Sequence, residues 1–213
     1  MNKDRKSWHA EVISAEVRDT ANRLAGMHTL SNFYLAGGTA LGLHLGHRRS
    51  VDLDFFTAQA FNEGALIAAL QELPNLSILS QSEQTIYMHV AGTKVSFIGY
   101  DYPMLFPVEH FEKLAVADVR DIAAMKMSAL ASRGSRRDFV DLYVVACQYG
   151  LRYLLELFGQ KFAKANYSTV HVRKALTYFA DADKEPMPHM LSPLSWKQLK
   201  EYFLREVSQL DIS

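Results

Sequence analysis

The sequence has a single cysteine, Cys147. It can therefore build no intramolecular disulfide framework, and so little cysteine fits a reducing compartment. It has no excess of charge: 23 Lys and Arg stand against 23 Asp and Glu. That balance excludes a globally basic nucleic-acid binder and an acidic-tail protein. It lacks any apolar run long enough to span a membrane, and its opening residues, Met1 to Lys6, are polar and lead into no signal-peptide-like segment. No repeat, low-complexity tract or Pro/Gly/Ser linker interrupts it. What is there is ordinary: 49% hydrophobic and 22% charged residues in a chain of 213. This composition predicts a cytoplasmic globular protein of one or two domains, with enough apolar side chain for a packed core.

The two halves differ in texture. Residues 1–107 hold most of the glycine and several short strand-like runs, and read as an α/β domain. Residues 108–213 read as helix after helix. The boundary is expected near Pro103 and Pro107, as a turn between packed parts. Trp8 to about Met27 reads as helix, 33–36 as a buried strand, 39–45 as a short helix and 51–56 as a strand. Asn62 is placed to cap the next helix. Three strands are expected at 76–79, 85–90 and 94–98, with Ala91-Gly92 as a hairpin turn. Helices are expected near 118–132, 136–149, 150–163, 168–181 and 193–207. The fold class is α/β (α+β): a small mixed sheet followed by a helical domain, with the active cleft between them. Cys147, among Val144, Val145 and Ala146, reads as a buried thiol, and the histidines show no zinc-ligand spacing.

The chemistry concentrates in the stretch from Phe33 to Phe56, FYLAGGTALGLHLGHRRSVDLDFF. Asp52 and Asp54 lie two apart on a predicted strand, so both carboxylates project to one side. Like charges held together call for a cation, and hard oxygen ligands suit Mg²⁺ or Mn²⁺. The alternative is the polar face of an exposed strand. Gly37 and Gly38 end a strand and open a helix, where backbone can approach a ligand closely and helix N–H groups suit a phosphate. Thr39 could cap that helix or donate its hydroxyl to a phosphate. Between these elements, His47, Arg48, Arg49 and Ser50 offer cations for a triphosphate tail, or a solvated loop that offsets the aspartates.

A second cluster follows in DIAAMKMSALASRGSRRDFVDL. Lys126 falls four after Ile122 and four before Leu130, on the apolar row of a predicted helix. It either snorkels outward or points where its charge matters. Gly134 suits a helix end and Ser135 a helix start. Asp138 and Asp141, three apart, share a face of the next helix.

The order of these elements resembles the nucleotidyltransferase superfamily of the DNA polymerase β type, with its Gly-Gly-Thr turn and Asp-x-Asp strand. More narrowly, GGTAL…RRS-DLDFF and the Lys126 to Asp141 run resemble the AbiEii/AbiGii toxins, nucleotidyltransferases of type IV toxin–antitoxin pairs. The resemblance implies that Asp52 and Asp54 bind metal, that Gly37, Gly38, Thr39, Arg48, Arg49, Ser50 and Lys126 bind the nucleotide, and that Lys126, Asp138 and Asp141 are active-site residues. It implies Mg²⁺-dependent transfer of NMP from an NTP to an RNA acceptor such as a tRNA 3′ end, or to a protein hydroxyl. It implies a cognate antitoxin that acts without a stable complex, and no membrane partner. One departure stands out: the relatives place a third acid on a later strand, and here alternation puts Ser96 in that position. Ser96 motivates an alternative, a degenerate nucleotide-binding module. A small-molecule transferase of the aminoglycoside-modifying kind is a third reading. The overall neutrality then excludes only tight nonspecific binding along a phosphate backbone, since the basic clusters at 47–49 and 133–137 are local.

Overall fold

The computed structural model describes residues 7–165 and 167–210; the polar opening residues 1–6, on which the leader expectation rests, lie outside them. The chain forms two compact units, one running to Tyr102 together with Val108–Ala117, the other made of Pro103–Pro107 with Asp118 onward.

The first unit is built on a mixed sheet of seven strands among the described residues. They are β1 (Tyr34–Ala36), β2 (Leu53–Thr57), β3 (Ser77–Ser82), β4 (Thr85–Val90), β5 (Thr93–Gly99), β6 (Glu109–Phe111) and β7 (Leu114–Val116), in the order β3-β4-β5-β2-β1-β7-β6. β2 runs antiparallel to β1 and parallel to β5. Helices α1 (Ala15–Ala25), α2 (Gly37–Leu45) and α3 (Glu63–Leu70) belong to the same unit. Strict alternation decides which sheet face is core: Leu53, Phe55, Val95, Phe97, Ile86 and Met88 are buried, and the residues between them on β2 and β4 are half-exposed. α1 packs on β5 and β7, and α2 on β1 and β2.

The local signals act as their chemistry demands. Asn62 accepts from the Ala65 N–H and starts α3. Ala91 and Gly92 both take positive φ, +50° and +83°, which is the twist a two-residue hairpin needs between β4 and β5. The expected first helix is shorter, because extended Ser14 breaks it and caps α1 by accepting from the Val17 N–H. β6 and β7 come from residues that read as the start of the helical half. Three-residue strands carry too little alternation to be recognised alone. Their pairing through β7 to β1 keeps residues 108–117 in the sheet unit, whereas the expected boundary was 107.

The second unit contains α4 (Val119–Arg133), α5 (Arg136–Tyr149), α6 (Leu151–Lys161), α7 (Thr169–Ala175) and α8 (Trp196–Gln209). α4 packs against α5, α6 and α7, and α5 against α6 and α8. Phe139 joins Phe179, Trp196 and Phe203 in an aromatic cluster. Cys147 is exposed, contrary to its apolar neighbourhood in sequence; it falls in the last turn of α5, where Gln148 and Tyr149 are exposed as well. No helix among the described residues is long and apolar enough to cross a membrane.

Candidate active site

In the first unit, the Gly-Gly turn meets the second aspartate. α2 begins at Gly37, one residue after β1 ends. Gly37 has φ +70°, and a Cβ there would lie 2.8 Å from Asp54 Oδ2. A side chain at this position would be strained by the backbone and would strike the carboxylate. Gly38 is in close contact with a different group: a Cβ there would strike the Arg48 guanidinium. The expectation was that both glycines make room for a ligand. In the structure, Gly38 makes room for a guanidinium of this chain.

Arg48 is only 4% exposed, and its Nη1 donates to the Arg49 carbonyl at 3.0 Å. Arg49 itself is exposed. The first turn of α2 has no side-chain cap, so its leading N–H groups have no partner within the helix. A guanidinium beside a helix N-terminus is an arrangement that can receive an anion. Thr39 lies inside α2 and does not cap it. Its hydroxyl is buried, donates to the Asp52 carbonyl and hydrogen-bonds the Ser50 hydroxyl at 2.8 Å. That contact ties α2 to the segment entering β2.

Asp54 sits in the middle strand. It pairs in register with Ala36 on β1 and with Ser96 on β5. Asp52 precedes β2, and both aspartates are half-buried. Leu53 between them is fully buried, so the carboxylates share the side opposite the core. Ser96 stands directly beside Asp54, where alternation put it, and is buried. Two half-exposed carboxylates on one side are a hard-oxygen donor set of the kind Mg²⁺ accepts together with substrate phosphates and water. No cluster of three or more His, Cys, Asp or Glu suited to a metal occurs among the described residues.

In the second unit, Lys126 does not snorkel. It is 8% exposed, and its ammonium lies 2.8 Å from Asp138 Oδ1 and 2.7 Å from Asp141 Oδ2. α4 ends at Gly134, which takes φ +56°, and α5 starts at Ser135, whose hydroxyl accepts from the Asp138 N–H. This tight corner brings the lysine of one helix onto the acids of the next. Burial pushes the Asp138 carboxyl up. The Lys126 ammonium and the Arg133 guanidinium outweigh it and hold the carboxyl down at about 2. Burial likewise pushes Lys126 down, and the two carboxylates more than reverse it.

One buried pair was not legible in the sequence. Lys161 Nζ bonds Asp121 Oδ1 at 2.8 Å and the Pro103 carbonyl at 2.7 Å, and Asp121 also accepts from the Leu105 and Phe106 N–H groups. Lysine and aspartate 40 residues apart leave no spacing signal, although Asp121 on an otherwise apolar helix row was a hint.

A strand running into Gly-Gly, a helix N-terminus beside a guanidinium and an aspartate on the next strand follow in the order that the nucleotidyltransferase resemblance requires. The chain belongs to the family described as nucleotidyl transferase AbiEii toxin, type IV TA system, which it matches over residues 28–85 and 93–211. It is 34% identical over 203 residues to the Aquifex aeolicus (strain VF5) protein named "Uncharacterized protein aq_aa25", covering 92% of this chain and 97% of that one. Among solved structures, it shares its fold with MenT4, nucleotidyltransferase toxin Rv2826c from Mycobacterium tuberculosis H37Rv, at a TM-score of 0.57 and 14% identity, over 93% of this chain and 86% of that one. JHP933 from Helicobacter pylori is also similar, at a TM-score of 0.45 and 17% identity, over 94% of this chain and 98% of that one. The protein is a nucleotidyltransferase.

A test of the turn follows from its geometry. Gly37→Ala is expected to destabilise the protein by about 1–2 kcal/mol, the cost of a left-handed non-glycine residue. It is also expected to displace Asp54 and reduce nucleotidyl transfer. A thermal melt and a transfer assay on the same preparation check both.

Proposed function

We propose that the protein transfers a nucleoside monophosphate from an NTP to a hydroxyl of an RNA, with a tRNA 3′ end as the leading acceptor, and that it is the toxin of a type IV pair. The observation that carries this reading is the uncapped start of α2, with Arg48 against Gly38 and Asp54 against Gly37.

In this reading the triphosphate lies at the α2 N-terminus, held by backbone N–H groups, Arg48 and, on the exposed side, Arg49. Thr39 and Ser50 hold the turn in shape rather than reaching for phosphate, since the Thr39 hydroxyl is already engaged. Asp52 and Asp54 would hold Mg²⁺ or Mn²⁺, which supplies charge neutralisation at the phosphate oxygens. The acceptor oxygen bonds the α-phosphorus, the α–β bridging bond breaks, and pyrophosphate leaves. Lys126 takes the active-site role that the family's motif implies, with Asp138 and Asp141 fixing its ammonium. The site of action is the cytoplasm, where NTP and RNA are found. An antitoxin would then act without a stable complex.

Incubation with each labelled NTP, Mg²⁺ and total tRNA is expected to label RNA with one preferred nucleotide, and a chelator is expected to abolish the labelling. Label on protein or on an aminoglycoside alone would replace the RNA reading. Ser96 beside Asp54 supports a second reading, a module that binds NTP without turning it over. Calorimetric NTP binding with no product on any acceptor would favour it.

A further inference from the structure

The sheet register extends the site past Asp54. Ser96 lies beside Asp54 across β2 and β5, and Tyr87 lies beside Ser96 across β5 and β4. The three form one row on the face opposite Leu53, Val95 and Ile86. The adjacent row pairs Lys94 with His89. Lys94 is exposed, and Tyr87 and His89 are half-exposed. The Lys94 ammonium sits 6.0 Å from the centre of the Tyr87 ring. At ordinary strand spacing, Tyr87 stands about 10 Å from the Asp54 strand.

Direction then follows from strand order. If the triphosphate occupies the α2 N-terminus, it lies on the β1 side of Asp54, and pyrophosphate departs to that side. Phosphoryl transfer is in line, so the attacking hydroxyl must reach the α-phosphorus from the opposite side. Beyond β2 that side is β5 and then β4.

We propose that Tyr87, His89 and Lys94 form the acceptor platform, on which a single-stranded RNA end stacks its base on Tyr87 and rests its phosphates against Lys94 and His89. The inference rests on the nucleotidyltransferase reading above and names the surface that receives the acceptor. An aromatic ring flanked by cations is what an RNA end requires. The same face of β4 and β5 carries Thr85, Tyr87, His89, Lys94, Ser96 and Ile98, with no acid among them. A cationic small molecule such as an aminoglycoside would find no counter-charge on these two strands. The acceptor oxygen forms its bond to the α-phosphorus, pyrophosphate leaves with the electrons of the broken bond, and the hydroxyl proton passes to water, since Ser96 offers no carboxylate.

The test uses the full chain, a short fluorescein-labelled single-stranded RNA and the variants Tyr87→Ala, Tyr87→Phe and Lys94→Ala. Tyr87→Ala is expected to weaken RNA binding about tenfold and to raise the KM for RNA by a similar factor, with the KM for NTP unchanged. Tyr87→Phe retains the stack and is expected to behave as wild type. Lys94→Ala is expected to weaken binding and to reduce the salt dependence by about one phosphate contact. The proposal is overturned if Tyr87→Ala and Lys94→Ala both bind RNA and use it within about twofold of wild type, a difference smaller than one stacked base. It is also overturned if the wild type binds no RNA. Transfer to RNA that ignores Tyr87 removes the platform and leaves the enzyme reading intact. RNA binding that depends on Tyr87 without any transfer to RNA overturns the acceptor role and leaves only an RNA-binding face.

Discussion

Asp54→Asn is expected to lower nucleotidyl transfer about a thousandfold or more, the consequence of losing several kcal/mol of charge stabilisation at the transferring phosphate. Asparagine has the shape of aspartate, so the register of β2 between Ala36 and Ser96 should survive, and with it the fold. What disappears is the negative charge on the half-exposed face beside the α2 N-terminus. Single-turnover transfer of labelled nucleotide reads the chemical step, and a melt on the same sample reads the fold. A variant that melts like wild type and transfers nucleotide at the wild-type rate would remove Asp54 from the reaction.

Lys126→Met carries the largest expected effect on stability. It takes the cation from two buried carboxylates, and breaking a buried pair in this way costs about 3–5 kcal/mol. Arg133 remains beside Asp138, but its side chain is 66% exposed and replaces little of the loss. Asp141, 0% exposed, is left worse off. The helical unit should melt roughly 10 °C lower or more. The pH dependence has a definite sign. In the wild type, Asp138 is held at about 2, below its ordinary value. It therefore stabilises the fold above that ordinary value, and the contribution fades as pH falls toward 2. Lys126 is held above its ordinary value, so its contribution is complete below that value and fades as pH rises through the higher folded one. In the variant, burial raises the orphaned carboxylates, and protonation then favours the folded state. The stability gap between wild type and Lys126→Met should narrow on mild acidification. Urea melts at neutral and mildly acid pH measure it. A gap that is constant or widens toward acid would contradict the pairing.

The core of this fold was readable wherever a residue's effect is local. The Gly37-Gly38 stop, the Asn62 and Ser135 caps, the Ala91-Gly92 turn and the alternation through β2, β4 and β5 act within a few residues of themselves, and each lies where its chemistry predicts. The strands at Glu109–Phe111 and Leu114–Val116 were not readable, because they exist by pairing with β1 rather than by pattern. Cys147 was not readable for a related reason: apolar neighbours in sequence do not say that the last turn of α5 runs clear of the core.

The sequence alone determined the family and the residue types of both clusters, since a Gly-Gly-Thr turn, an Asp-x-Asp strand and a lysine followed by two acids are statements about order and spacing. Only the tertiary structure decided what each residue touches. It put Arg48 against Gly38, Thr39 onto Ser50 and Asp52, Tyr87 next to Ser96 in the row, and both acids onto Lys126. These outcomes depend on which strands become neighbours and how two helices turn at a corner. Such long-range choices are made by burying apolar surface from distant parts of the chain, and no local pattern encodes them.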